Sequence, residues 1–176
     1  MSAVTAAACR WHEDGGGKAV AQRCLEFLEQ VGIGVDWFGE TEGERLLDGL
    51  AIVQGRILID PETPVWPSDL LHEGGHVAVC PPEQRASLGP LVADPVDEMM
   101  AIAWSYAASR ECDVTLAQLF HSGGYRTDGP ALRQSFSVGC FIGVPFLEQI
   151  GMCTSDLGEA LAQGVPTFPG MIRWLR

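Results

Sequence analysis

LLHEGGHVAVCPP, residues 70 to 82, is the stretch on which the reading turns. His72 and His76 stand four apart, with Glu73 after the first and Gly74 and Gly75 between them. Ser68 is a suitable N-cap for a helix starting at Asp69, and Pro81 and Pro82 stop it. On such a helix residues four apart share a face, so both histidines can offer imidazole nitrogens to one ion. Glu73 is rotated away from them but can reach a water held by that ion. This is the logic of His-Glu-x-x-His in zinc hydrolases, where the metal lowers the pKa of water and the glutamate takes its proton. Four histidines scattered over 176 residues give this pattern in about one shuffled sequence in two hundred, so the motif is selective but too short to stand alone. The competing reading is a half-exposed helix with two incidental histidines. Two interior glycines cost a helix about 2 kcal/mol relative to alanines. Close approach of another backbone at Gly75 would offset that cost, as would an ion that ties the helix down.

A catalytic zinc normally has three protein ligands and an open position. Cys80 continues the histidine face, but one straight helix cannot easily wrap three ligands around a tetrahedral ion, and the prolines end the helix there. Asp97 and Glu98 are better placed. They open a second helix, DPVDEMMAIAWSYAASRE, residues 94 to 111, in which Asp94 can cap and Pro95 suits the first position. The rest of that helix is largely apolar, and an ionised acid beside a buried helix needs a partner. Asp97 is explained by the helix terminus, which favours acids. Glu98 is not, and it is the expected third ligand. Asp97 is then a cap or orients a histidine from outside. The reverse assignment of the two acids stays open.

Working outward, KAVAQRCLEFLEQVGI places Val20, Cys24, Phe27, Leu28 and Val31 at helical spacing. GVDWFG is a weak strand or loop. GLAIVQGRILID reads as two β-rich runs around a turn at Gln54-Gly55-Arg56, a hairpin. After the second helix come a short helix in DVTLAQLFH, a glycine-rich loop SGGYRTDGP, and a helical stretch from Ala131 to Met152 interrupted near Gly143 and Pro145. The tail VPTFPGMIRWLR has no clear pattern. The order is helix, hairpin, then several helices: an α+β domain with a hairpin or small antiparallel sheet and a helix-rich C-terminal half. Residues 1–17 are expected to be a loose arm before a single domain spanning 1–176.

The composition is 47% hydrophobic with a net charge of −12. That supports a globule and argues against nucleic acid as a direct partner, because an acidic chain repels phosphates. No apolar run approaches 18 residues, so no membrane span is expected. AAAC near the start lacks the basic and apolar regions of a lipoprotein signal. The expectation is a cytoplasmic protein whose six spread cysteines are buried thiols. Homo-oligomer formation stays open.

From the hairpin to the second helix, residues 50 to 110, the chain resembles the ImmA/IrrE-type zincin metallopeptidases. AIVQGRILID, LLHEGGH and DEMMAIAWSYAA carry the likeness, and His72, Glu73, Gly75 and His76 match the motif position by position. Gly74 departs from it, standing where that family prefers a large apolar residue. The resemblance implies a minimal zincin-like domain, peptidase activity on a peptide or protein, and an acid on the next helix as third ligand. It implies no role in transcription, since no helix-turn-helix module is present.

The leading expectation is therefore a zinc-dependent hydrolase with His72, His76 and Glu98 on the metal and Glu73 as general base. The hairpin edge at residues 51–59 can align an extended peptide by strand addition. Two histidines and a carboxylate also accept Fe, Mn, Co or Ni. An oxyanion would need a donor, and His121, Tyr125 and Arg126 in FHSGGYR are the candidates, although such residues also suit an ordinary surface loop. Tyr106 reads as core and His12 as solvated. The alternative is a non-catalytic, metal-stabilised binding or interaction protein whose site is closed by Cys80 or His121. A metal-free helical scaffold is the third reading.

Overall fold

The computed structural model describes residues 4–39, 49–89, 94–125 and 128–176. Its fold is α+β. The hairpin forms from two apolar runs, β2 (Leu50–Val53) and β3 (Arg56–Ile59). Gln54 and Gly55 both have positive φ, 51° and 70°, which is the two-residue turn whose twist matches a hairpin. Arg56, expected in the turn, instead pairs with Val53 as the first residue of β3. A third strand, β1 (Val35–Trp37), adds to β3 in parallel, giving the order β1-β3-β2. The sheet is thus mixed rather than purely antiparallel. Ile57, Leu58 and Ile59 are all buried, so both faces of β3 are covered.

Helix α1 (Gly17–Gln30) turns Val20, Ala21, Cys24, Leu25, Phe27 and Leu28 inward. The pair that builds the site is α2 (Asp69–Val79) and α4 (Pro95–Glu111). Between them lies the short α3 (Pro82–Arg85). Asp94 caps α4 by accepting the Val96 N–H at 2.8 Å, with Pro95 in the first position. Helix α4 is buried from Met100 to Ser105, which fits a segment apolar on nearly every face. Its neighbours include α5 (Leu116–Leu119) and α7 (Val144–Gln149), and α6 (Gly129–Ser137) precedes the latter. The interruption expected near Gly143 is the break between α6 and α7. Helix α8 (Leu157–Gln163) follows.

Two stretches differ from expectation. Within the supposed loose arm, residues 4–17 are packed: Ala6 and Trp11 are buried, Trp11 Nε1–H donates to the Ala6 carbonyl, and Trp11 bridges to Val65. A tryptophan at the start of a chain is a large apolar area to hide, and hiding it orders its neighbours. The tail also docks without regular structure. Trp174 packs edge-on against Phe27, and its carbonyl accepts from Trp104 Nε1–H at 3.0 Å. Arg85 then donates to the carbonyls of Val77, Cys80 and Arg176, satisfying acceptors that the end of α2 leaves open. No helix among the described residues is long and apolar enough to cross a membrane. The six cysteines are unpaired, but Cys140 is exposed and Cys9 partly so, so they are not uniformly buried.

Candidate metal centre

Helices α2 and α4 come closest at Gly75 and Ala101. A Cβ on Gly75 would lie 2.7 Å from the Ala101 carbonyl oxygen and 2.9 Å from its Cα. Gly74 has a different neighbour. Its missing Cβ leaves room for Leu28 Cδ2 at 2.7 Å and for the Trp104 ring. The two glycines therefore let α2 sit on α1 and α4, which answers the helix-propensity cost they carry. Gly75 follows His72 by three residues on the same side of α2, and Glu98 lies three residues before Ala101, on the adjoining turn of α4. Close backbone approach thus carries the Glu98 carboxylate to both histidines.

The three donors form a small triangle. His72 Nε2 and His76 Nε2 are 3.3 Å apart, Glu98 Oε1 is 3.4 Å from His72 Nε2, and Glu98 Oε2 is 3.3 Å from His76 Nε2. These separations are at the long end of hydrogen-bond distances. The two Glu98 distances run to different oxygens of one carboxylate, so the group faces both imidazoles, and His72, His76 and Glu98 can hold a metal.

The electrostatics prepare the same set. Burial, helped by the neighbouring His76, pushes His72 down from 6.5 to about 4, so its ring is neutral and keeps a lone pair at neutral pH. Glu98 is held below the usual carboxylate range, chiefly by its hydrogen bond with His76. Glu73 is buried, and burial drives it up from 4.5 to about 7. Its Oε2 is a buried atom with no hydrogen-bond partner. Such an orphan is costly, and a water or cation beside it would satisfy it.

The other candidates divide clearly. Asp97 is exposed on the first turn of α4 and lies outside the triangle, where it complements the helix terminus. Cys80 caps α2 with its thiol toward the Pro81 carbonyl, and it too is outside. His121 is buried and paired with Asp69 at 2.7 Å, so it is neither a surface residue nor a ligand of the triangle. Tyr125 reaches the site: its hydroxyl is 2.9 Å from His72 Nδ1. Burial raises the phenol well above its ordinary value, which keeps it protonated. Arg126 lies outside the described residues. Tyr106 packs among Phe136, Phe141 and Phe168, as expected of core. His12 is not free in solvent but stacks on Trp66 at 4.6 Å. Of the hairpin, β3 is flanked by strands on both sides and β2 is buried from Leu50 to Ile52, so the edge expected to align a peptide at residues 51–59 is not exposed.

Sequence reasoning passed over Asp69, Trp66 and the use made of His121. No local spacing announces them, because Asp69 and His121 are 52 positions apart in the chain. Comparison of the chain with protein-family models, with curated proteins and with solved structures gives no match, so the reading of this site rests on its own geometry.

Proposed function

We propose that this chain is a zinc-dependent hydrolase, specifically a metallopeptidase of the ImmA/IrrE-type zincin kind. His72, His76 and Glu98 would hold the ion, and Glu73 would be the general base. One observation carries the proposal: two imidazole nitrogens and a carboxylate brought within 3.3–3.4 Å of one another, with the unpartnered buried carboxylate of Glu73 on the helix that carries the histidines.

A bound zinc would polarise a carbonyl and lower the pKa of a water. The chain's own groups supply the rest. His72 arrives neutral, so it gives up no proton on binding at pH 7. Glu98 brings one negative charge to the set. Glu73, pushed up to about 7 by burial, is matched to accept a proton and return it near neutral pH. Tyr125 keeps its proton, and its hydroxyl lies against His72 Nδ1, the ring nitrogen turned away from the position of the ion.

A non-catalytic metal site would normally be closed by a fourth protein ligand. Among the described residues the metal-ligating group has three members, and Cys80 and His121 are engaged elsewhere. A set of three ligands among the described residues is the number a hydrolytic zinc site uses. The test compares wild-type and Glu73→Gln chains, both loaded with zinc, on a library of quenched fluorescent peptides. Both should hold about one zinc, and the variant should hydrolyse at least about a hundredfold more slowly. Equal rates would remove Glu73 as base. Zinc without hydrolysis in the wild type would favour the binding-protein reading.

A further inference from the structure

We infer that Tyr125 is a positioning residue for the ligand His72, and that the buried Asp69–His121 pair is the clamp that presents it. The inference rests on the proposed His72–His76–Glu98 site holding an ion, and is independent of whether that site hydrolyses anything.

The clamp starts from His121. Its Nδ1 accepts two backbone N–H groups, those of Gly123 and Gly124, each at 3.1 Å. A ring nitrogen that accepts carries no hydrogen, so the ring hydrogen is on Nε2. It donates to Asp69 Oδ1 at 2.7 Å. Both nitrogens of His121 are therefore committed, and neither can serve a metal or a substrate. The ring also lies flat on Trp66, with centroids 4.1 Å apart and planes 10° from parallel. The turn closes around this imidazole, with Tyr125 N–H donating to the His121 carbonyl at 3.0 Å. Its glycines are needed for closeness: a Cβ on Gly123 would meet Trp66 Nε1 at 2.5 Å and His121 Nδ1 at 3.0 Å.

The two ends of the clamp matter most. Asp69 is the first residue of α2, one turn before His72. The other end is Tyr125, whose ring rests edge-on against Phe120 and whose hydroxyl oxygen sits 2.9 Å from His72 Nδ1. When Nε2 of a neutral imidazole gives its lone pair to a metal, the ring hydrogen must be on Nδ1. Tyr125 Oη is placed to accept it. A phenol can donate as well as accept, so the ion sets the tautomer, and the phenol, accepting from Nδ1–H, fixes the angle of the ring. Asp69 and His121 fix the phenol against the same helix that carries the ligand.

The experiment measures zinc affinity by competition with a chromophoric chelator for wild type, Tyr125→Phe, His121→Gln and the double variant. Tyr125→Phe should melt like wild type in chelator yet bind zinc about ten- to a hundredfold more weakly. His121→Gln should weaken binding too, and the double variant should lose no more than the larger single loss, because both act through one hydrogen bond. In the zinc-loaded wild type, imidazole ¹⁵N spectra should show His72 protonated on Nδ1 with slow exchange, and that protection should vanish in Tyr125→Phe. If His121→Gln fails to fold, the Tyr125→Phe affinity and the spectra decide. Unchanged affinity in Tyr125→Phe or additive losses would overturn the inference while leaving the metal site intact, whereas a His72 proton on Nε2 would overturn both the inference and His72 as an Nε2 ligand. A wild-type chain that takes up no zinc would overturn both.

Discussion

Substituting Gly75 by alanine tests the contact that assembles the site. The new methyl would lie 2.7 Å from the Ala101 oxygen, 2.9 Å from its Cα and 3.2 Å from its carbonyl carbon. All three are backbone atoms of a buried helix, so none can swing away. Restoring ordinary contact near 3.5 Å requires the helices to part by about 0.6–0.8 Å. Overpacking of this kind costs about 1–3 kcal/mol, and alanine returns about 1 kcal/mol of helix propensity. The net loss is about 1 kcal/mol, within a range of about 0–2. The function should suffer more than the fold. Glu98 rides on α4, so its 3.3 Å separation from His76 Nε2 would open toward about 4 Å, beyond the roughly 0.5 Å that a working constellation tolerates. Zinc affinity should fall at least about tenfold. Gly74→Ala is the control, because its nearest obstacle is Leu28 Cδ2, the far end of a flexible side chain. Its net change should stay within about 1 kcal/mol of zero, with zinc affinity kept. Urea unfolding in chelator measures the first quantity and chelator competition the second. Equal stability and equal affinity in the two variants would refute the claim that the Gly75–Ala101 approach positions the ligands.

Two further outcomes follow from burial. In chelator, Glu73 has a folded pKa of about 7 against an ordinary 4.5. The unfolded chain ionises first, so this group's contribution is intact below pH 4.5 and is lost as pH rises to 7, by about 3 kcal/mol in all. His72 runs the other way: its folded pKa of about 4 lies below 6.5, so its contribution is full above pH 6.5 and is lost as pH falls toward 4. Glu73→Gln should therefore gain stability over wild type between pH 5 and 8 in chelator, and a constant difference across that range would contradict the assignment. Among the thiols, the exposed Cys140 should react first with a disulfide reagent, while the buried Cys24, Cys80, Cys112 and Cys153 stay protected until unfolding. Mass mapping that finds any of those four labelled before Cys140 would place them wrongly.

Local signals made the scaffold of the site readable from sequence. Proline 81 and 82 stopped α2, Asp94 and Pro95 opened α4, and four-residue spacing put His72 and His76 on one face. The close approach anticipated at Gly75 is the contact with Ala101. Other features were written locally but passed over. Helix α8 has an Asp156 cap that accepts the Glu159 N–H and a Gly164 with φ of 67° after its end, both visible as letters in SDLGEALAQG. The parallel pairing of β1, the docking of Trp11 and Trp174, and the meeting of Tyr125 with His72 were not written locally. They depend on contacts between residues far apart in sequence, and no periodicity encodes those. The tautomer of His121 belongs with them, since it follows from a turn that closes back on its own ring.

The central claim is that two helices present one set of three metal ligands. Elemental analysis by mass spectrometry of untagged chains purified without chelator tests it most directly, with wild type beside His72→Ala, Glu98→Ala and Asp97→Ala. About one zinc in wild type and in Asp97→Ala, and none in the other two, is the result this geometry predicts. Zinc retained in Glu98→Ala but lost in Asp97→Ala would move the third ligand to the neighbouring acid. No metal in any sample after zinc is added back would reduce His-Glu-Gly-Gly-His to a packed helix with two histidines.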